Sequence, residues 1–93
     1  PLVPVPDHAS LRQMLVKQIE YYFSVENLCR DIFLRSNMDH QGFIPVSTIA
    51  SFNRVRSLTS DTSIILDALR NSAVVEVQGD RLRKRHDGAS WAL

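Results

Sequence analysis

From Leu11 onward the chain repeats apolar residues at three- and four-residue spacing. Leu11, Met14, Leu15, Ile19 and Tyr22 follow the period of one helix face. Ser10 with Gln13 offers a capping box, so a first helix is predicted over 11–23. Ser24 interrupts as a second cap, before a short helix over about 25–29 and another over about 31–38 carrying Ile32, Phe33 and Leu34. Asp39 to Gly42 is turn chemistry. Phe43 to Val46 is β-like, but Pro45 limits it to an edge or a very short strand. Ser47 is expected to cap a helix carrying Ile49, Ala50 and Phe52 that ends near Asn53. Thr59, Ser60 and Asp61 open a last helix that closes near Asn71. Val74 to Val77 and Arg81 to Arg85 then flank Gly79-Asp80, a two-residue hairpin turn.

Helices, a short strand, helices and a hairpin, in that order, predict an α+β, winged-helix-like fold. It is mostly helical, with inserted N-terminal helices and a small antiparallel β-sheet. The domain is expected over 10–86. Pro1, Pro4 and Pro6 mark an extended lead-in over 1–9, and 87–93 form a frayed tail in which Trp91 either tucks against the domain or belongs to a continuation.

Ninety-three residues, 44% hydrophobic and 23% charged, suffice for one small core. No apolar run approaches the roughly 20 residues that cross a bilayer, and the start lacks a basic n-region, so a soluble, unexported chain is expected. The lone Cys29 cannot form an internal disulfide and reads as a small apolar core side chain in a reducing, cytosolic or nuclear, setting. Net charge is only +1, with a basic pole at Arg81, Arg83, Lys84 and Arg85. A pI of about 8.5 argues against a strong nonspecific duplex binder.

Of the seven aromatics (one Trp, two Tyr, four Phe), four fall between Gln18 and Leu34: Tyr21, Tyr22, Phe23 and Phe33. Ile19, Tyr22 and Phe23 fit a buried stripe, whereas Gln18 and Tyr21 lie on a neighbouring face. Aromatics interleaved with hydrogen-bonding groups and few charges suit unstacked nucleobases, which offer a flat face and a polar edge. Two partly buried tyrosines at a helix end would satisfy the same pattern.

Q-I-E-Y-Y-F at 18–23, N-L at 27–28, R-D-x-F-L at 30–34, G-F-I-P at 42–45, F-N-R at 52–54 and L-T at 58–59 resemble the La motif, in order and spacing, from about Leu11 to Arg85. The resemblance implies a module that captures single-stranded RNA 3′ ends in an aromatic pocket. It assigns Phe33 to base stacking, Tyr21 and Phe52 to the pocket wall, Gln18 to a base edge, and Tyr22 to a mixed, half-structural role. Asp31 would accept hydrogen bonds from the 2′ and 3′ hydroxyls of the terminal ribose, which reads RNA and a free end together. Without the resemblance Asp31 is an ordinary helix N-cap, and the two roles can coexist if its oxygens divide the work. Phe23, Asn27 and Leu28 are assigned to the scaffold. Arg54, and less so Arg56, could touch phosphates. Arg81, Arg83 and Arg85 share one strand face, either a basic wing that tracks a backbone or a charged edge that discourages aggregation.

S-V-E-N-L at 24–28, M-D-x-Q-G-F-I-P at 38–45 and the late Trp91 look closest to the first group of La-related proteins, which lack an adjoining RNA recognition motif. That likeness implies poly(A) ends of mRNA, control of mRNA stability or translation, a largely cytoplasmic setting, and poly(A)-binding protein as a partner through regions outside this chain. Genuine La proteins instead favour oligo(U), and the pocket residues do not discriminate the two. A monomer is expected. Two rivals remain, a protein-docking winged helix and a duplex DNA binder with 60–71 as recognition helix, although Asp61 and Asp67 there would repel phosphates. His8, His40 and His86 lack metal-ligand spacing, there is no Gly-rich phosphate loop, and Cys29 has no evident base, so neither an enzyme nor a cofactor is expected.

Overall fold

A computed structural model describes residues 8–93. Of the lead-in expected over 1–9, residues 1–7 lie outside them, and residues 8 and 9 belong instead to the first helix, α1 (His8–Tyr22). Ser10 therefore sits inside α1 rather than capping it. Leu15, Ile19 and Phe23, spaced by four, are fully buried, and they set the inner face of the helix.

Ser24 stops α1 as expected. It is extended (φ −74°, ψ 152°), and its Oγ accepts from the Asn27 amide at 3.3 Å to open α2 (Val25–Leu28). Cys29 caps the other end of α2 and is exposed, not in the core. Leu28 points inward, and the next residue on a helical turn lies about 100° away from it. Asp31 then caps α3 (Ile32–Ser36), its Oδ1 accepting from the Leu34 amide at 3.0 Å.

After the 39–42 turn come β1 (Ile44–Pro45), α4 (Val46–Ala50), α5 (Asn53–Arg56) and α6 (Thr62–Leu69). Ser47 lies within α4, whose N-cap is Pro45, and Phe52 is not on that helix. Extended backbone at Phe52 (φ −68°, ψ 137°) breaks the chain there and starts α5. Asp61 caps α6 through the Ser63 amide at 2.9 Å. β2 (Val75–Gln78) and β3 (Arg81–Lys84) form the hairpin across Gly79, whose φ of +61° suits the turn. The antiparallel sheet runs β1-β3-β2, with Ile44 opposite Leu82 and Val77 opposite Leu82 on the other side. Pro45 is accommodated because β1 is an edge, and β3 is the central strand.

One core lies between α1, α6 and the sheet. Ile49, Ile65, Leu69, Val75 and Leu82 close on Leu15 and Ile19 without exposure. The last residues are not frayed. Gly88–Trp91 form a 3-10 helix, the Arg35 guanidinium lies 5.4 Å from the Trp91 ring, and Arg35 Nε donates to the Trp91 carbonyl at 2.9 Å.

The 39–42 turn is built on Asp39, whose Oδ1 accepts from the Gln41 and Phe43 amides, both at 2.9 Å, while Oδ2 pairs with Arg81 at 3.0 Å. These bonds, that from Phe43 foremost, hold the Asp39 carboxyl below the usual carboxylate range. Asp61 is lowered by Ser63, and Asp87 by Lys84. A depressed folded-state value stabilises above the unfolded-state pKa and is lost as pH falls through the folded one. The melting temperature should therefore hold from neutral pH down to about pH 4 and fall below it. Asp39→Asn should lower it at pH 7 and shrink that acid-dependent fall; an unchanged acid profile would remove Asp39 from this account.

Candidate nucleic-acid interface

Consecutive positions at the C-terminal end of α1 and just beyond it divide the aromatic pair and its neighbour by burial. Phe23 is in the core, Tyr22 is half-buried, and Tyr21 remains 41% exposed. Tyr22 meets Phe52 edge-on at 5.2 Å between ring centroids, and Phe52 meets Phe33 at 6.1 Å with the rings tilted by 55°. The break between α4 and α5 is what turns Phe52 into this gap. The three rings form a continuous row, and its outer member, Phe33, is 62% exposed. Leaving that much phenyl surface in water forgoes its burial energy, so the ring is not placed for packing.

Beside the row, Gln18, Tyr21, Tyr22, Asn53 and Arg54 line an open cleft of about 530 Å³. Arg30 donates to the Tyr21 hydroxyl at 3.2 Å and fixes that ring from outside. Asp31 is joined to the same elements through Asn27, whose buried side-chain amide donates to the Tyr22 carbonyl at 2.9 Å and to Asp31 Oδ2 at 3.1 Å. With Leu34 on Oδ1 and Asn27 on Oδ2, about two of the four acceptor positions of the carboxylate remain for a ligand. The cap engages Oδ1 and Asn27 engages Oδ2, so each oxygen keeps part of its acceptor capacity.

All seven candidate residues fall on these linked elements. Gln18, Tyr21, Tyr22 and Arg54 surround the cleft; Phe52 and Phe33 extend the row; Asp31 is tied in by Asn27. Asn53, expected only as a helix end although it stands inside F-N-R, lines the cleft too. Asn27 is scaffold, as expected, but scaffold that orients Asp31.

The basic wing does not form a free surface. Arg81 pairs with Asp39, Arg83 with Glu76 at 3.2 Å, Lys84 with Asp87 at 2.7 Å, and Arg85 donates to the Ser72 carbonyl at 2.7 Å. Nor is it a charged edge, since β3 is central. The α6 face expected of a duplex reader is tied down as well, with Asp67 bonded to Arg12 of α1. Among the described residues no three His, Cys, Asp or Glu stand close enough to hold a metal ion, and no helix is long and apolar enough to cross a membrane.

Residues 15–71 match the profile of the La domain. The chain belongs to the La domain family. A solved structure, the La autoantigen N-terminal domain, superposes with a TM-score of 0.77 at 34% identity, over 88% of this chain and 92% of that one. The winged-helix-like fold is thereby that of the La N-terminal domain. La-related protein 1C of Arabidopsis thaliana is 49% identical over 89% of this chain, and La-related protein 4 of Mus musculus 41% identical over 82%. The chain spans 16% of the first relative's length and 11% of the second's.

Proposed function

We propose that this La domain binds single-stranded RNA by capturing its 3′-hydroxyl end, with poly(A) ends of mRNA as the preferred target. The observation that carries the reading is the exposed Phe33 ring at the end of the Tyr22–Phe52–Phe33 row, together with the unspent acceptor positions of Asp31. Terminal bases stack on the row, the Gln18 amide and Asn53 meet a base edge, Arg54 meets a phosphate, and Asp31 accepts from the terminal ribose hydroxyls. At about 1–3 kcal/mol per stacked base, two stacks with hydroxyl bonds reach the micromolar range. The poly(A) preference rests on the motif likeness to the first group of La-related proteins. From it follow a role in mRNA stability or translation, a cytoplasmic setting, and poly(A)-binding protein as partner of the longer protein.

Phe33→Ala tests the stacking role with little risk to the fold, because the ring is largely outside the core. Anisotropy titration of a short 3′-hydroxyl oligo(A) should show affinity falling roughly 5- to 150-fold with an unchanged melting temperature. Equal binding by both proteins would overturn the reading and turn attention to a protein-docking role. Oligo(U) as competitor decides the base: stronger displacement by U than by A would overturn the poly(A) preference while leaving end capture in place.

A further inference from the structure

A second groove lies against the same side chains. Gln18, Tyr21 and Arg54 border the first cleft and also an adjoining depression of about 560 Å³, completed by Met14, Lys17 and Leu58. Met14, Gln18 and Tyr22 follow one another at four-residue spacing on α1, so the two hollows extend over about 12 Å along the helix. Met14 is 45% exposed, an apolar side chain left in water on a helix whose opposite face fills the core.

Charge singles out this groove further. Of the eleven Lys and Arg residues, nine have a side chain bonded to an acid, an amide oxygen or a backbone carbonyl within the described residues. Arg12, Arg30, Arg70, Arg81, Arg83 and Lys84 meet acids, Arg35 and Arg85 donate to carbonyls, and Arg56 donates to Asn53. Lys17 and Arg54 are the remaining two, without such a partner among the described residues, and both line this groove. An apolar floor with two uncommitted cations at its margin matches a nucleotide, whose base sheds water onto Met14 and Leu58 while its phosphate meets the cations.

We propose that this groove takes the nucleotides upstream of the captured 3′ end, the strand running back along α1 towards its N-terminus. The inference rests on the end-capture reading and gives it a direction. The test uses 3′-hydroxyl oligo(A) of three and of six nucleotides with wild type, Met14→Ser and Lys17→Gln, all exposed positions outside the end pocket. The hexamer should bind wild type at least about fivefold more tightly than the trimer. Both substitutions should remove that gain and leave trimer binding unchanged, and Lys17→Gln should reduce the hexamer's log–log salt slope by about 0.7. A length gain that survives both substitutions, or no gain at all, would overturn the groove while trimer binding keeps the end pocket. Failure of the trimer to bind would overturn end capture and the groove with it. A glutamate-rich peptide bound through Lys17, with no length gain for RNA, would give the groove to a protein partner and overturn the inference.

Discussion

Asp31→Ala should abolish the preference for a free 3′ hydroxyl and weaken binding of such an RNA by two orders of magnitude or so. Each hydrogen bond to a charged acceptor contributes about 1.5–3 kcal/mol, and two ribose hydroxyls are at stake. The alanine variant also loses the α3 cap to the Leu34 amide, at about 1 kcal/mol of stability, which by itself could loosen the site. Asp31→Asn separates the two effects. Its side-chain oxygen can still cap α3, but its amide replaces an acceptor with a donor. The expected result is a melting temperature above that of Asp31→Ala but below wild type, because the Asn27 amide then faces a donor in place of Oδ2, with lost end discrimination, read by titrating 3′-hydroxyl and 3′-phosphate oligomers side by side. Retained discrimination in a folded Asp31→Asn would remove Asp31 from the end-reading role.

Gly42→Ala is the substitution expected to damage the fold most among the turn positions. Gly42 holds φ +86°, and a Cβ there would stand 2.2 Å from the Gly88 carbonyl oxygen, a contact with backbone that no rotamer change relieves. Strain of about 1–3 kcal/mol from the dihedral alone adds to that clash. The turn must move away from the C-terminal 3-10 helix, carrying with it the Asp39 bonds. Gly79 is the internal comparison, at φ +61° with nothing within 4 Å. Urea unfolding should show Gly79→Ala losing about 1 kcal/mol and Gly42→Ala losing several times more. Equal losses would mean that the approach of Gly42 to Gly88 carries no weight.

The sequence is legible where the chemistry that shapes the chain is local. Leu15, Ile19 and Phe23 share a helical period, Ser24 and Asp61 cap through amides two or three residues on, Pro45 confines β1 to an edge, and Gly79 supplies a positive φ. Structure departs from the local pattern where it depends on distant partners or on elements too short to show a period. Ser10 and Ser47 look like caps but sit inside helices, α4 starting after the extended Pro45, which pairs with Arg81 far along the chain. α5 has four residues, so nothing in the spacing separates it from α4. Arg81 and Arg83 looked free because Asp39 is 42 residues away and Glu76 lies across a hairpin. Trp91 looked loose because its partner Arg35 is 56 residues earlier.

The candidate site was legible mainly as a set of residue types in the La-motif order. Its geometry was not. That Phe52 stands between Tyr22 and Phe33 depends on the break at the start of α5, and the orientation of the Asp31 carboxylate depends on Asn27, which reads in the sequence as an ordinary polar residue.

End capture is tested most directly without altering the protein. One oligo(A) sequence is prepared with a 3′ hydroxyl and with a 3′ phosphate, and both are titrated against the wild-type domain by fluorescence anisotropy. The phosphate removes one hydroxyl donor and brings a dianion towards the Asp31 carboxylate, so that RNA should bind at least about tenfold more weakly. Equal affinity for the two ends would contradict the account.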